Sequence, residues 1–193
     1  MKYLLLSILS LTFFIGCSSS SSSTETREVI NGFTLPPEPD QVINNSTLLG
    51  IDSNDNGVRD DVERFVIVEI NKSDLEYKKY LTHMYFDYSK KTNNLFLNED
   101  PTPEEALTIM LDISYSIDCD GPNPFYSENT QELIDRKLEM SNFIRDSVYS
   151  TKSRVELFFK YENTMDSYEF LKKGLNEKQL SEEECKKRYT KYD

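Results

Sequence analysis

The chain has no tryptophan, one histidine and three cysteines, and its bases are outnumbered, 22 Lys plus Arg against 34 Asp plus Glu. Each shortage removes a class of function. With His83 alone, a Ser-His-Asp or Cys-His arrangement must be built around that residue, and no nucleophile motif accompanies it. HExxH, paired CxxC, the P-loop and GxGxxG are all absent, and the zinc and nucleotide chemistry they support goes with them. A formal net charge of -12 repels phosphate backbones, whose binding depends on Lys and Arg displacing counterions. Nucleic acid is therefore excluded as a partner. The same acidity suits divalent cations or a basic protein.

Long apolar runs are also scarce. The one that exists, Tyr3 to Ile15 in MKYLLLSILSLTFFIGC, is shorter than the roughly 20 residues needed to span a bilayer, and it stops at Gly16-Cys17. It reads as a secretory signal over residues 1–16. Phe14-Ile15-Gly16-Cys17 resembles the lipobox of bacterial lipoproteins, departing from it only in Phe14, and the resemblance implies that Cys17 becomes the lipidated first residue of the mature chain. Serine after the cysteine implies, by the same analogy, the outer membrane of a Gram-negative cell. Removal of residues 1–16 takes away Lys2 and no acid, leaving 34 acids against 21 bases. Six serines, Ser18 to Ser23, and the proline-rich Leu35-Pro36-Pro37-Glu38-Pro39-Asp40 favour extended, unpacked backbone. Residues 17–46 are thus expected as a lipidated, Ser/Pro-rich flexible tether, with the folded domain at 47–193, enough for one core.

Helix signals dominate that domain. Ser73-Asp74-Leu75-Glu76, Thr102-Pro103-Glu104-Glu105, Asn129-Thr130-Gln131-Glu132 and Ser181-Glu182-Glu183-Glu184 have capping-box form. Apolar residues recur at three-and-four spacing: Val62, Phe65, Val66 and Ile70; Tyr77, Tyr80, Leu81, Met84 and Tyr88; Ala106, Ile109, Met110, Ile113 and Ile117; Leu133, Ile134, Leu138, Ile144 and Val148; Val155, Phe158 and Phe159. With strand-like alternation scarce, the fold class is all-α, a single bundle of five or six helices. Breaks fall at Asn93 to Pro101, at Asp120 to Pro124 and around Gly174. In an oxidising compartment Cys119 and Cys185 are expected to pair. That bond would close a loop of about 66 residues, worth roughly 4 kcal/mol in the chain-entropy model.

The densest chemistry lies in GIDSNDNGVRDDVER, residues 50–64. With Asp52 as the first position, Asn54 falls at the third, Asn56 at the fifth, Gly57 at the sixth, Val58 at the seventh, Asp60 at the ninth and Glu63 at the twelfth. Those are the ligand slots of an EF-hand calcium loop: side-chain oxygens, a glycine for the tight turn, a backbone carbonyl, an acid acting often through water, and a bidentate glutamate. A hard cation wants six to eight oxygens at about 2.4 Å, and a chain can wrap it only by turning sharply and returning a long carboxylate. Two departures stand out. Arg59 occupies the eighth position, where paired hands place an apolar residue, and Thr47-Leu48-Leu49-Gly50 is too short for an entering helix. An isolated half-hand results, similar to the loops of dockerin-type and thrombospondin type 3 repeats. One calcium ion is the expected cofactor, held as a structural clasp where tether meets bundle. Asp60, Asp61 and Glu63 also sit in the first turn of the exiting helix, where acid favours the dipole.

Together the lipobox, LPPEPD and GIDSNDNGVRDDVER resemble a group of uncharacterised bacterial lipoproteins carrying a similar LPPEPD…GIDxNxNGVRDDVER block. The resemblance is specific over residues 35–64 and implies an envelope protein with a calcium-like loop. The expected role is a binding or accessory module, for instance of immunity type, anchored to the membrane through Cys17 and meeting a basic protein partner, with no catalytic residues. The alternative is an envelope hydrolase using carboxylates near the calcium site.

Overall fold

A computed structural model describes residues 27–73, 78–117, 131–167, 169, 170 and 172. Among them the all-α expectation holds. A hairpin of two short strands, β1 (Val29–Ile30) and β2 (Phe33–Thr34), precedes α1 (Gln41–Asn44), α2 (Asp60–Lys72), α3 (Lys78–Leu97), α4 (Pro103–Ile117), α5 (Gln131–Val148) and α6 (Lys152–Thr164). The expected disulfide between Cys119 and Cys185, the lipidation site Cys17 and the capping box at Ser181 lie outside the described residues, as do most of those at Ser73 and Asn129.

The tether boundary at residue 46 moves. From residue 27 the chain folds onto the bundle, because Asn31-Gly32 supplies a turn with both φ angles positive, +50° and +87°, the form that two-residue hairpins favour. Val29 pairs with Thr34 and Ile30 with Phe33. The rings of Phe33 and Phe86 meet edge-on at 5.8 Å, with His83 5.1 Å from Phe33, so the single histidine packs the hairpin against α3. Leu35 is buried in the main core. Within LPPEPD, Pro36 offers its carbonyl to Arg64 Nη1 at 2.6 Å and Glu38 pairs with Arg64 Nε at 2.6 Å. Asp40 then caps α1, its Oδ1 accepting from the backbone N–H groups of Val42 and Ile43 at 2.9 and 3.0 Å, which satisfies donors the helix start leaves orphaned.

The core follows the predicted stripes on α2 to α4: Val62, Val66 and Ile70; Tyr80, Leu81, Met84 and Tyr88; Ala106, Met110 and Ile113 are all buried. Each large apolar side chain taken fully out of water stabilises by about 1.5–3 kcal/mol. The Thr102 capping box forms as expected. Glu105 N–H donates to Thr102 Oγ1 at 3.3 Å, and Thr102 N–H donates to Glu105 Oε2 at 2.8 Å. Two predicted stripes hold in part, Ile144 and Val148 of α5 being buried as expected. Leu138 and Phe159 are exposed, and α6 buries Arg154, Leu157 and Tyr161 instead. Arg154 faces inward to reach the carbonyls that receive it, while Phe158 of the predicted stripe still packs against the core.

Candidate metal centre

Residues 51–63 close on themselves. Asp60 N–H donates to the Ile51 carbonyl at 2.7 Å, joining the two ends of the loop. Inside it, Asp52 accepts from Asn56 N–H (3.2 Å) and Gly57 N–H (2.7 Å), Asn54 Oδ1 from Asn56 N–H (3.2 Å), and Asn56 Oδ1 from Val58 N–H (2.8 Å). Asx side chains are suited to this, because their short oxygens reach backbone N–H groups two residues on. Asp55 and Gly57 take φ of +54° and +84°, and the glycine at the sixth position makes its left-handed bend without Cβ strain.

Of the predicted ligand residues, Asn54, Asn56 and Glu63 meet through side-chain hydrogen bonds. Glu63 is buried and its carboxylate returns over the loop, accepting from Asn56 Nδ2 at 2.8 Å and Asn54 Nδ2 at 3.1 Å. Asp60, also buried, accepts from Ser53 N–H at 3.0 Å. The Val58 side chain is fully buried in the core and carries the chain from the loop into α2. Burial pushes the Glu63 carboxyl above its ordinary 4.5; the amides of Asn54 and Asn56 pull it down, and the charges of Asp60 and Asp52 push it up again.

As it stands, the loop is closed by N–H donors. Among the described residues no group of three or more His, Cys, Asp or Glu surrounds a common metal position. The donor chemistry nonetheless fits a hard divalent cation, since Asp52, Asp60 and Glu63 bring carboxylates and Asn54 and Asn56 bring amides that present oxygen when turned about their last torsion. Such an ion would take over the neutralising role that the two amide N–H groups now play at Glu63.

Two groups outside the loop and one within it hold it in place. Asn93 of α3 donates Nδ2 to the Gly57 carbonyl at 2.6 Å, and the aliphatic stem of Lys90 lies against Gly57. The third is Arg59, the residue that departs from the EF-hand pattern. It points away from the loop and is buried, donating from Nη2 to the Ser147 carbonyl (2.7 Å) and from Nη1 to the Val148 carbonyl (3.2 Å) at the end of α5. A cation at a helix C-terminus is favourable, and Asp61 pairs with the same guanidinium at 3.1 Å from Nη2.

A second buried arginine lies beside it. Arg154 donates from Nε to the Leu48 carbonyl (2.9 Å), from Nη2 to the carbonyls of Asn44 (2.9 Å) and Thr47 (3.1 Å), and from Nη1 to Asn45 Oδ1 (3.3 Å) and Ser150 Oγ (2.9 Å). Ser150 Oγ also receives Arg59 Nη2 at 3.2 Å. Burial, with the neighbouring Arg59 charge, lowers Arg154 to about 10, so it stays charged at neutral pH. Asn44 completes the knot, its Oδ1 accepting from Ile51 N–H at 2.9 Å. The sequence marks Arg59 as a charged residue at a loop position that ordinarily takes an apolar one, but not its part in this knot, and it gives no sign of the roles of Arg154, Asn44 and Gly50.

Beside the knot runs a cleft of about 920 Å³, walled by the turn 45–50, by Phe96 of α3 and Glu99 beyond it, and by Ser153, Glu156, Leu157 and Lys160 of α6. Glu156 pairs with Lys152 at 3.2 Å and Lys160 with Asp100 at 3.0 Å.

Comparison of the chain with protein-family models, with curated proteins and with solved structures finds no match.

Proposed function

We propose that this chain is a bacterial envelope lipoprotein, anchored to the membrane by lipid on Cys17, whose folded part binds one calcium ion at Asp52, Asn54, Asn56, Val58, Asp60 and Glu63 and acts as a protein-binding or accessory module. The observation that supports the reading is that Asn54, Asn56 and the buried Glu63, which occupy the third, fifth and twelfth loop positions in the sequence, meet through their side chains. Calcium here is structural: near-millimolar calcium outside the cytoplasm keeps modules with dissociation constants of about 10⁻⁴–10⁻³ M largely occupied. The net charge of -12 gives the surface a complement in a basic partner.

Fractionation of cells expressing the chain and a Cys17→Ser variant tests the anchor, with the wild type in the membrane and the variant released. Crosslinking and pull-down from envelope extracts with and without calcium test the partner. Retrieval of a basic protein supports a binding module, and retrieval of nothing in either condition contradicts it.

A further inference from the structure

The exposed apolar side chains are not spread evenly. Of the eight large ones exposed among the described residues, four are Val29, Val42, Ile43 and Leu49, all within the short arm 27–50. Val42 and Ile43 stand side by side on α1, 81% and 61% exposed. The helix that carries them is pinned from behind, by Arg154 on the Asn44 carbonyl and by Asp40 at its start. The arm therefore holds Val42 and Ile43 exposed on a fixed backbone, while Leu49 lines the cleft beside the knot. They are aliphatic throughout, whereas protein hot spots favour Trp, Tyr and Arg and leave Leu and Val under-represented.

Resting on the reading that Cys17 carries lipid, we infer that the occupant of this surface is the bilayer itself: the α1 arm, through Val42 and Ile43, seats the folded domain against the lipid interface. Arg27, where the described fold starts, lies ten positions after Cys17, so the arm begins no more than about 36 Å from an anchored cysteine. No described helix is long and apolar enough to cross a membrane, which makes the contact interfacial. The acidic chain favours a zwitterionic surface over an anionic one.

The absence of tryptophan makes the test clean. The full mature chain, with a histidine tag in place of residues 1–16, is held on phosphatidylcholine vesicles by nickel-chelating lipid, so that the anchor does not depend on native lipidation. Ile43→Trp, or Val42→Trp if the first variant folds poorly, places one fluorophore on the arm, and Leu138→Trp places one on exposed α5. Quenching by brominated phosphatidylcholine should be at least threefold stronger at the arm than at α5, and independent of protein density on the vesicle. Equal quenching at the two sites, or none, overturns the inference. A spectral shift at Ile43→Trp that grows with density and ignores bromine assigns the surface to a second copy and overturns it too. Whether Cys17 is lipidated in cells is read separately, from the mass of the mature chain.

Discussion

Two buried charge centres meet at adjacent residues, and they solve the same problem in opposite ways. On one side of the chain Asp60 and Glu63 take negative charge out of water into the loop. On the other, Arg59 and Arg154 take positive charge into the knot. The knot is balanced by fixed groups: carbonyls at 44, 47, 48, 147 and 148, and Asp61. The loop is balanced by amide N–H groups, weaker partners for a carboxylate than a cation is, and Glu63 keeps a raised pKa as the sign of incomplete compensation. A charge satisfied by the chain's own backbone is a permanent fastening. A charge left partly unsatisfied has room for an ion.

The sharpest way to break that contrast is at the knot. Arg154→Met strips donors from three carbonyls, of which that of Asn44 is buried, and should cost about 3 kcal/mol in denaturant unfolding, equally with and without calcium. If the loss vanishes when calcium is added, the two centres are one.

Gly50→Ala comes next. An added Cβ would lie 2.2 Å from Arg59 Cδ and 2.6 Å from Asn44 Oδ1, at a φ of +66°, for a cost on the order of 3 kcal/mol. A melting temperature like that of the wild type would contradict this packing of Arg59 across Gly50.

Glu63→Gln addresses the loop. Without calcium it should change stability by less than about 1 kcal/mol, since it removes a poorly compensated charge and keeps the shape. With calcium at ten times its dissociation constant, the wild type should gain about 1.4 kcal/mol and the variant nothing. The pH dependence has a definite sign. The folded chain holds the Glu63 proton more tightly than the unfolded chain, so Glu63's own contribution to calcium-free stability is fully present below 4.5 and is lost as pH rises through the shifted value. Calcium affinity strengthens over the same span, because the ion binds the carboxylate. Melting curves across that range should show both trends in the difference between the wild type and Glu63→Gln, since the other carboxylates are common to the two proteins.

The smallest effect belongs to Asn93→Ala, which removes the bond to the Gly57 carbonyl and should cost about 1 kcal/mol. Calcium binding should weaken modestly without being lost, as a titration of the variant would show.

The loop was legible in the sequence because its chemistry is local: the spacing of Asp52, Asn54, Asn56, Gly57 and Glu63 already encodes the turn and the returning carboxylate. The helices on α2 to α4 were legible for the same reason, through periodicity. The knot was not, because Arg154 reaches carbonyls more than a hundred residues away and nothing near it in the chain marks it as buried. The hairpin was a different case. Asn31-Gly32 is a strong turn signal, but strands two residues long carry no alternation to confirm it, and the surrounding serines and prolines made the arm read as tether. Arg64, gripping Pro36 and Glu38, is the contact that turns LPPEPD from linker into structure.

Calorimetric titration of the folded chain with calcium, beside an Asp52→Asn/Glu63→Gln double variant, bears most directly on the loop as a metal site. The account predicts one ion per chain and a raised melting temperature for the wild type, with no heat and no shift for the double variant. The same heats and the same melting temperatures in both proteins would contradict it.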